Sequence, residues 1–460
     1  MLYYITELSK YIIAFLMILY VLECVLNEVI KSKKKKKGIY IRQDIYLFLI
    51  PFFSYMTLSL RTGEIDYLFF YAFLQIVLFS MIVLYSMIYP KIDRCLVNNM
   101  ALLLNIGFII LTRLDFQKAY KQFGIVIVSI IISMFMPCLI HKIQFLSNIK
   151  WIYCLVGLLA LSVVLILGQV THGSKISYSL FGITLQPSEF VKIVFVFCIA
   201  AFLAESTSFK DIVIATVVAA LHVIVLVVSK DLGSAVIFFI GYLFMVFIAS
   251  RNYLYLLLGV LGGSGAAVIS YKIFRHVQVR VQAFVDPFSA IDREGYQITQ
   301  SLFAVACGSW FGMGLSKGAP QDIPYVESDF IFSAVSEEFG VIFSIGMLIV
   351  CLSCFMIMMN TSAKLKNKFY RLVACGLGVI YIFQVFLTVG GGIKFIPLTG
   401  VTLPFVSYGG SSILASLLIF GVIQGIILIQ KEETAESVYR IDEYDEEEEE
   451  DDSYDDETFN

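Results

Sequence analysis

The stretch Asp329-Phe330-Ile331-Phe332-Ser333-Ala334-Val335-Ser336-Glu337-Glu338-Phe339-Gly340 opens an apolar run that continues to about residue 357. A helix over 330–357 is long enough to cross the roughly 30 Å hydrocarbon layer of a bilayer. Asp329, Ser333 and Glu337 recur every four residues along it, which puts them on one helix face as a polar stripe. Ionisable groups at membrane depth are costly, so each one is either a satisfied pair or a functional group. Asp329 stands at the outer mouth of the span, where water and a lipid head group can both arrive. The plain alternative is a helix cap, because a carboxylate near an N-terminus is favoured in any case.

The same apolar character fills the rest of the chain. Hydrophobic residues make up 59% and charged residues 15% of the 460, and mean hydropathy is +0.85. A soluble domain of this length is roughly half apolar and about a quarter charged. Runs near 8–30, 45–60, 67–89, 95–112, 123–140, 151–169, 189–204, 211–228, 232–249, 253–273, 330–357, 371–389 and 411–430 predict about thirteen membrane spans, the second of them short. The fold class is therefore an all-α polytopic membrane protein. The first span reads as retained, because its positive charge follows it and no small-residue cleavage site is present.

The basic run Lys31–Lys37 sets the orientation. Placing it in the cytoplasm and alternating from there also puts Lys91, Arg94, Lys142, Lys150, Lys364, Lys366, Lys368 and Arg371 inside, as the positive-inside rule expects. The N-terminus is then outside and the C-terminus cytoplasmic. Two outer segments, 274–328 and the Gly- and Pro-rich 390–410, read as long non-helical loops; backbone of that kind near a membrane needs protein or a watery cavity around it. From about Lys431 the chain is acidic and aperiodic, which predicts a disordered tail over 433–460.

No basic stripe with interleaved aromatics argues for a nucleic-acid partner. The nine cysteines lie mostly in apolar runs, and even Cys351 and Cys354 read as small buried hydrophobes. The four histidines lack ligand spacing, so no protein-built metal site is expected.

Other residues that could carry chemistry lie at span ends. Glu189 and Lys192 share a helix face at i, i+3, either as an architectural ion pair or as a lysine poised for an anionic head group. Asp231, beside Lys230, could cap the next helix. The 274–328 loop offers Arg275, Arg280, Asp286, Arg293, Gln297 and Gln300 with nearby glycines, a set that suits a phosphate or sugar ligand.

Taken in order, these segments resemble the SEDS (shape, elongation, division and sporulation) proteins, including RodA, FtsW and SpoVE. The matching motifs are Gln186-Pro187-Ser188-Glu189 with Lys192; Asp231-Leu232-Gly233; Ala283-Phe284 and Asp286-Pro287; Gly295-Tyr296-Gln297 with Gln300-Ser301-Leu302; Asp329-Phe330-Ile331-Phe332 with Glu337-Glu338; and Pro397 through Ser412, which includes Ser407. The resemblance covers about 95–430. It implies a ten-helix SEDS-type core over 93–432, preceded by an N-terminal membrane extension over 1–92 of about three further helices.

The resemblance also implies a function: a bacterial glycosyltransferase that polymerises lipid II into peptidoglycan glycan strands at the outer face of the cytoplasmic membrane, for division, elongation or sporulation. It implies a class B penicillin-binding protein as partner, and it maps the family's essential aspartate onto Asp329, which could act as general base. Charge on the pyrophosphate leaving group then falls to Lys192, Arg280 and Arg113, in that order. Glu189, Asp231, Gln297, Gln300, Glu337 and Ser407 complete the expected substrate-binding set, and a divalent cation, Mg2+ or Mn2+, could assist without a protein cage. Local departures are Ser229-Lys230 ahead of Asp231, Pro324 to Ser328 ahead of Asp329, and Gly173 to Tyr178 ahead of Gln186. Two other readings are a lipid II flippase, with the intramembrane charges lining a path, and a division scaffold acting through the acidic tail.

Overall fold

The computed structural model describes residues 2–30, 32–167, 169–171, 174–180, 183–291 and 295–456. Its helices are α1 (Leu2–Val29), α2 (Lys33–Thr62), α3 (Asp66–Ile88), α4 (Arg94–Leu114), α5 (Phe116–Lys142), α6 (Lys150–Leu167), α7 (Pro187–Glu205), α8 (Phe209–Val228), α9 (Leu232–Ser250), α10 (Tyr253–Ile273), α11 (Arg275–Val285), α12 (Tyr296–Gly308), α13 (Ile331–Lys364), α14 (Lys368–Gly392) and α15 (Gly410–Asp456). Among the described residues twelve of them are long and apolar enough to cross a membrane, and α6 is a shorter apolar helix. These correspond to the thirteen runs read from the sequence. The chain is a multi-pass membrane protein.

Short polar side chains start the helices. Asp93 accepts from Leu96 N (3.0 Å), Asp115 from Lys118 N (3.1 Å), and Asn367 from Phe369 N (2.9 Å). Each satisfies one of the N–H groups that a helix leaves without a partner in its first turn. α2 closes on Gly63 in the left-handed region (φ 78°). Because the spans alternate in direction, one end of the bundle gathers the start of α1, the α2–α3, α4–α5, α8–α9 and α14–α15 junctions, and the approach to α13 at Asp329. This is the Asp329 end of the bundle.

α4 is buried along its whole apolar length. It packs against α2, α3, α5 and α13, while α1 packs against α2 and α13. The first three helices thus clothe a flank of the bundle that would otherwise meet lipid.

Four local features differ from the sequence reading. The second span is a full helix and not a short one. Arg42 and Asp44 interrupt its hydropathy, but Arg42 pairs with Glu23 (2.6 Å) and Arg94 with Asp44 (2.5 Å), so their charges are met by neighbours. The 274–328 segment is not wholly irregular, since it contains α11 and α12, which are too short and too polar for a hydropathy window to find. Between α6 and α7 lie three short antiparallel strands, β1 (Gln169–Thr171), β2 (Ser174–Leu180) and β3 (Ile183–Leu185), an addition to the helical bundle. The backbone of α15 stays helical into the acidic tail, where glutamate's high helix propensity supports a helix that lacks an apolar stripe.

Candidate active site at the Asp329 end

The segment 397–410, between α14 and α15, is where the polar contacts converge. Arg280, near the middle of α11, donates from Nη1 to Thr399 O (3.1 Å). A Cβ placed on Gly400 would lie 3.5 Å from Asp329 Oδ2 and 3.6 Å from Arg280 Nη2. The carboxylate and the guanidinium therefore close on the same bare stretch of backbone, and Gly400 holds φ at +73°, where a side chain would be strained. Burial pushes the Arg280 pKa down while the charges of Asp329 and Asp231 push it back up. One guanidinium thus faces two carboxylates, and an arginine stays charged under those conditions.

Asp329 is half-buried and sits in the turn that leads into α13, its N–H bonded to Tyr325 O (3.1 Å). The capping position of α13 is Phe330. Asp231, in contrast, does cap: its Oδ1 accepts from Ser234 N (3.1 Å), while its Oδ2 accepts from Ser188 Oγ (2.9 Å) and Gln186 Nε2 (3.3 Å). The starts of α7 and α9 are thereby tied together. Gly233 lets the start of α9 come against Thr399 O, which a Cβ would meet at 3.0 Å.

One turn deeper, Lys192 Nζ donates to Glu189 Oε2 (2.5 Å) and to Gln384 Oε1 (2.7 Å), and it is only 3% exposed. Gln384 passes the connection to Thr402 O (3.0 Å), and Thr388 Oγ1 donates to Val401 O (2.8 Å). Glu189 and Lys192 thus pair with each other, as their spacing allows. The ammonium is held by protein oxygens inside the bundle, while Arg280 is the cation beside Asp329.

Ser407 positions the loop. Its Oγ donates to Ser328 O (2.5 Å) and accepts from Leu403 N (2.9 Å), while Tyr408 N donates to Glu327 O (2.7 Å). The residue before Asp329 is thus fastened to the 403–408 turn. The remainder of the polar stripe points elsewhere. Ser333 Oγ meets Ser301 Oγ of α12 (2.5 Å), and Ser301 also donates to Gly392 O (2.7 Å). Gln297 and Gln300 lie half-buried on the opening turns of the same helix.

Glu337 and Glu338 belong to a second construction. α13 is not continuous: Gly340 has φ 84° and ψ 172°. Around that break the 309–319 loop bonds to it as a strand would, Met313 N to Glu337 O (2.9 Å) and Val341 N to Ser309 O (2.9 Å). Gly308, Gly312 and Gly340 allow the two backbones to touch. Glu338 is wholly buried. It takes Arg113 Nε (3.0 Å) and Ser316 N (3.0 Å), and Arg113 Nη2 also reaches Gly318 O (3.1 Å). Glu337 Oε1 accepts from Ala319 N (2.9 Å), and its buried Oε2 has no hydrogen-bond partner. Arg113 is therefore occupied in holding this clasp. Irregular backbone at membrane depth is tolerated only where protein covers it or it lines a cavity, and broken helices of this kind often build membrane binding sites.

The sequence reading missed Gln384 and also Gln122, whose amide bonds Ser407 O (3.3 Å) and Gly409 N (3.0 Å). For Gln384 an amide side chain inside a long apolar run was the available signal, because polar groups in spans serve as contacts between helices. Arg293 lies outside the described residues. Among the described residues no cluster of three or more His, Cys, Asp or Glu is placed to hold a metal ion.

Residues 93–432 match the model of the cell cycle protein family FtsW/RodA/SpoVE. The chain is 31% identical over 366 residues to the peptidoglycan glycosyltransferase RodA of Mycobacterium tuberculosis, covering 73% of this chain and 78% of that protein. It is 30% identical over 295 residues to a probable peptidoglycan glycosyltransferase FtsW of Alcanivorax borkumensis, covering 60% and 75%. Among solved structures, a chain of a peptidoglycan synthase complex superposes with TM-score 0.64 at 23% identity, covering 74% of this chain and 98% of that one. The rod-shape-determining protein RodA of Thermus thermophilus gives 0.55 at 22%, with the same coverage. This chain belongs to the FtsW/RodA/SpoVE family of cell cycle proteins, the SEDS family.

Proposed function

We propose that this protein is a peptidoglycan glycosyltransferase that polymerises lipid II, with Asp329 as the carboxylate that accepts the proton of the attacking sugar hydroxyl. The observation that carries this reading is the meeting of Asp329 and Arg280 over Gly400. In the reaction the acceptor oxygen bonds to the donor's anomeric carbon, the bond from that carbon to the pyrophosphate oxygen breaks, and the hydroxyl proton passes to the carboxylate. A positioned general base contributes roughly 10²–10⁴-fold. Charge left on the pyrophosphate needs a fixed cation nearby, and the nearness of Arg280 to Asp329 supports Arg280 in that role. Lys192 and Arg113 stabilise the loops that carry the pair.

The positive-inside pattern supports an arrangement with the Asp329 end on the outer face, the N-terminus outside and the C-terminus in the cytoplasm. A polyprenyl-linked substrate would then reach the site through the plane of the membrane. A class B penicillin-binding protein as transpeptidase partner remains part of the proposal. So does a divalent cation, Mg2+ or Mn2+, which would be held chiefly by pyrophosphate oxygens with one or two carboxylates.

The test is purified protein with lipid II, with and without partner and cation. Glycan strands are expected from the natural protein, and a loss of about 10²-fold or more from Asp329→Ala and Asp329→Asn that still fold. Polymerisation that survives both substitutions would remove Asp329 from the mechanism. In proteoliposomes, lipid II that crosses the bilayer without being polymerised would favour a flippase instead.

A further inference from the structure

The family match begins at residue 93 and leaves α1–α3 unassigned. α1 does not merely lie against the bundle; its first turns reach the loop that closes on the break in α13. Glu7 pairs with Lys317 and, at 2.5 Å, with Lys10. The stem of Lys10 passes Gly314, whose Cβ would lie 3.9 Å from Lys10 Cδ. Tyr11 meets the ring of Phe311 at 5.0 Å. Two turns further along, Met17 is wholly buried and fills the space over Gly346, just past the break.

Glu7 and Tyr11 of α1 therefore hold Lys317 and Phe311, with Lys10 alongside Gly314, at the loop whose amides at Met313, Gly314, Ser316 and Ala319 hold Glu337 and Glu338. The half-helix so held, from Ile331 to Phe339, begins two residues after Asp329. We propose that α1 is a built-in positioning element: by clamping the 309–319 loop it fixes the Gly340 break, and through the Ile331–Phe339 half-helix it fixes the placement of Asp329. The helix would thus do within one chain what a bound partner helix could do from outside. Glu7, Lys10 and Tyr11 are positioning residues, since they touch the loop and not the site.

The catalytic arm of the test rests on the glycosyltransferase reading; the structural arm does not. Glu7→Lys and Lys317→Glu are compared singly and together, with Tyr11→Ala as a variant that keeps the charges. Each reversal should raise hydrogen exchange at the amides of 313–319 and lower kcat for lipid II polymerisation by about five-fold, the upper range for a partly exposed ion pair. KM and the thermal unfolding midpoint should hold steady. The double reversal should recover part of both readouts, because it rebuilds the pair with position 317 with its charges exchanged while Lys10 is left beside a like charge. If the single variants exchange and polymerise like the natural protein, or the double variant recovers neither, the proposal is overturned. A natural protein that makes no glycan strands would sink the assigned activity, yet the exchange arm would still decide the clamp.

Discussion

Arg280 grips a carbonyl with one nitrogen while its charge serves two carboxylates on different loops. Lysine offers the charge without the planar fork. Arg280→Lys should therefore slow polymerisation by about ten-fold or more, since hydrogen bonds from charged donors contribute about 1.5–3 kcal/mol; lipid II turnover by the purified variant is the measure. Gln384 supports a different expectation. Its amide joins Lys192 to Thr402 O, so Gln384→Leu takes one acceptor from the buried ammonium, which keeps Glu189, and removes the donor to that carbonyl. A loss of about 1–3 kcal/mol is expected, seen as a lower unfolding temperature in detergent.

At the scale of elements, the break in α13 depends on residues without side chains. Gly340→Ala would force a Cβ into the Gly312 and Trp310 backbone at a positive φ. Strain of this kind costs about 1–3 kcal/mol before any steric displacement, and faster proteolysis at the 309–319 loop would report it. The spans themselves were legible in the sequence, because apolar length is a local property and thirteen runs became thirteen helices. Their interruptions were not. Gly340 looks like any glycine in a long helix until the loop that presses against it is seen. The charges of Arg42 and Asp44 hid the first part of α2, because their partners Glu23 and Arg94 stand on other helices. Asp329 and Arg280 were both named from the sequence, but the carbonyl of Thr399 that joins one of them to the loop has no sequence signature. The expected rank of Lys192 above Arg280 came from spacing, which shows that Glu189 and Lys192 can meet but not that Gln384 completes the contacts of the buried ammonium.

For the whole molecule, the acidic tail gives the sharpest test of a scaffold role. Glu432 bonds His141 (2.7 Å) and Glu433 accepts from Lys366 N (2.7 Å) and Asn367 N (3.3 Å). The last turns before Glu436 thus brace the end of the bundle opposite Asp329. Truncation after Glu436 should leave polymerisation and thermal stability intact, whereas truncation after Lys431 should lower the melting temperature without abolishing turnover. Loss of all activity on cutting after Glu436 would shift the account toward recruitment through the tail.

The 397–410 segment is gripped mainly by its carbonyls: Arg280 holds Thr399 O, Thr388 holds Val401 O and Gln384 holds Thr402 O. A main-chain oxygen is present whichever amino acid occupies the position, but each donor is a single irreplaceable side chain. Mutational tolerance should accordingly be lopsided, permissive along much of the gripped strip and severe at the three distant donors, a pattern that saturation mutagenesis with a growth readout would expose.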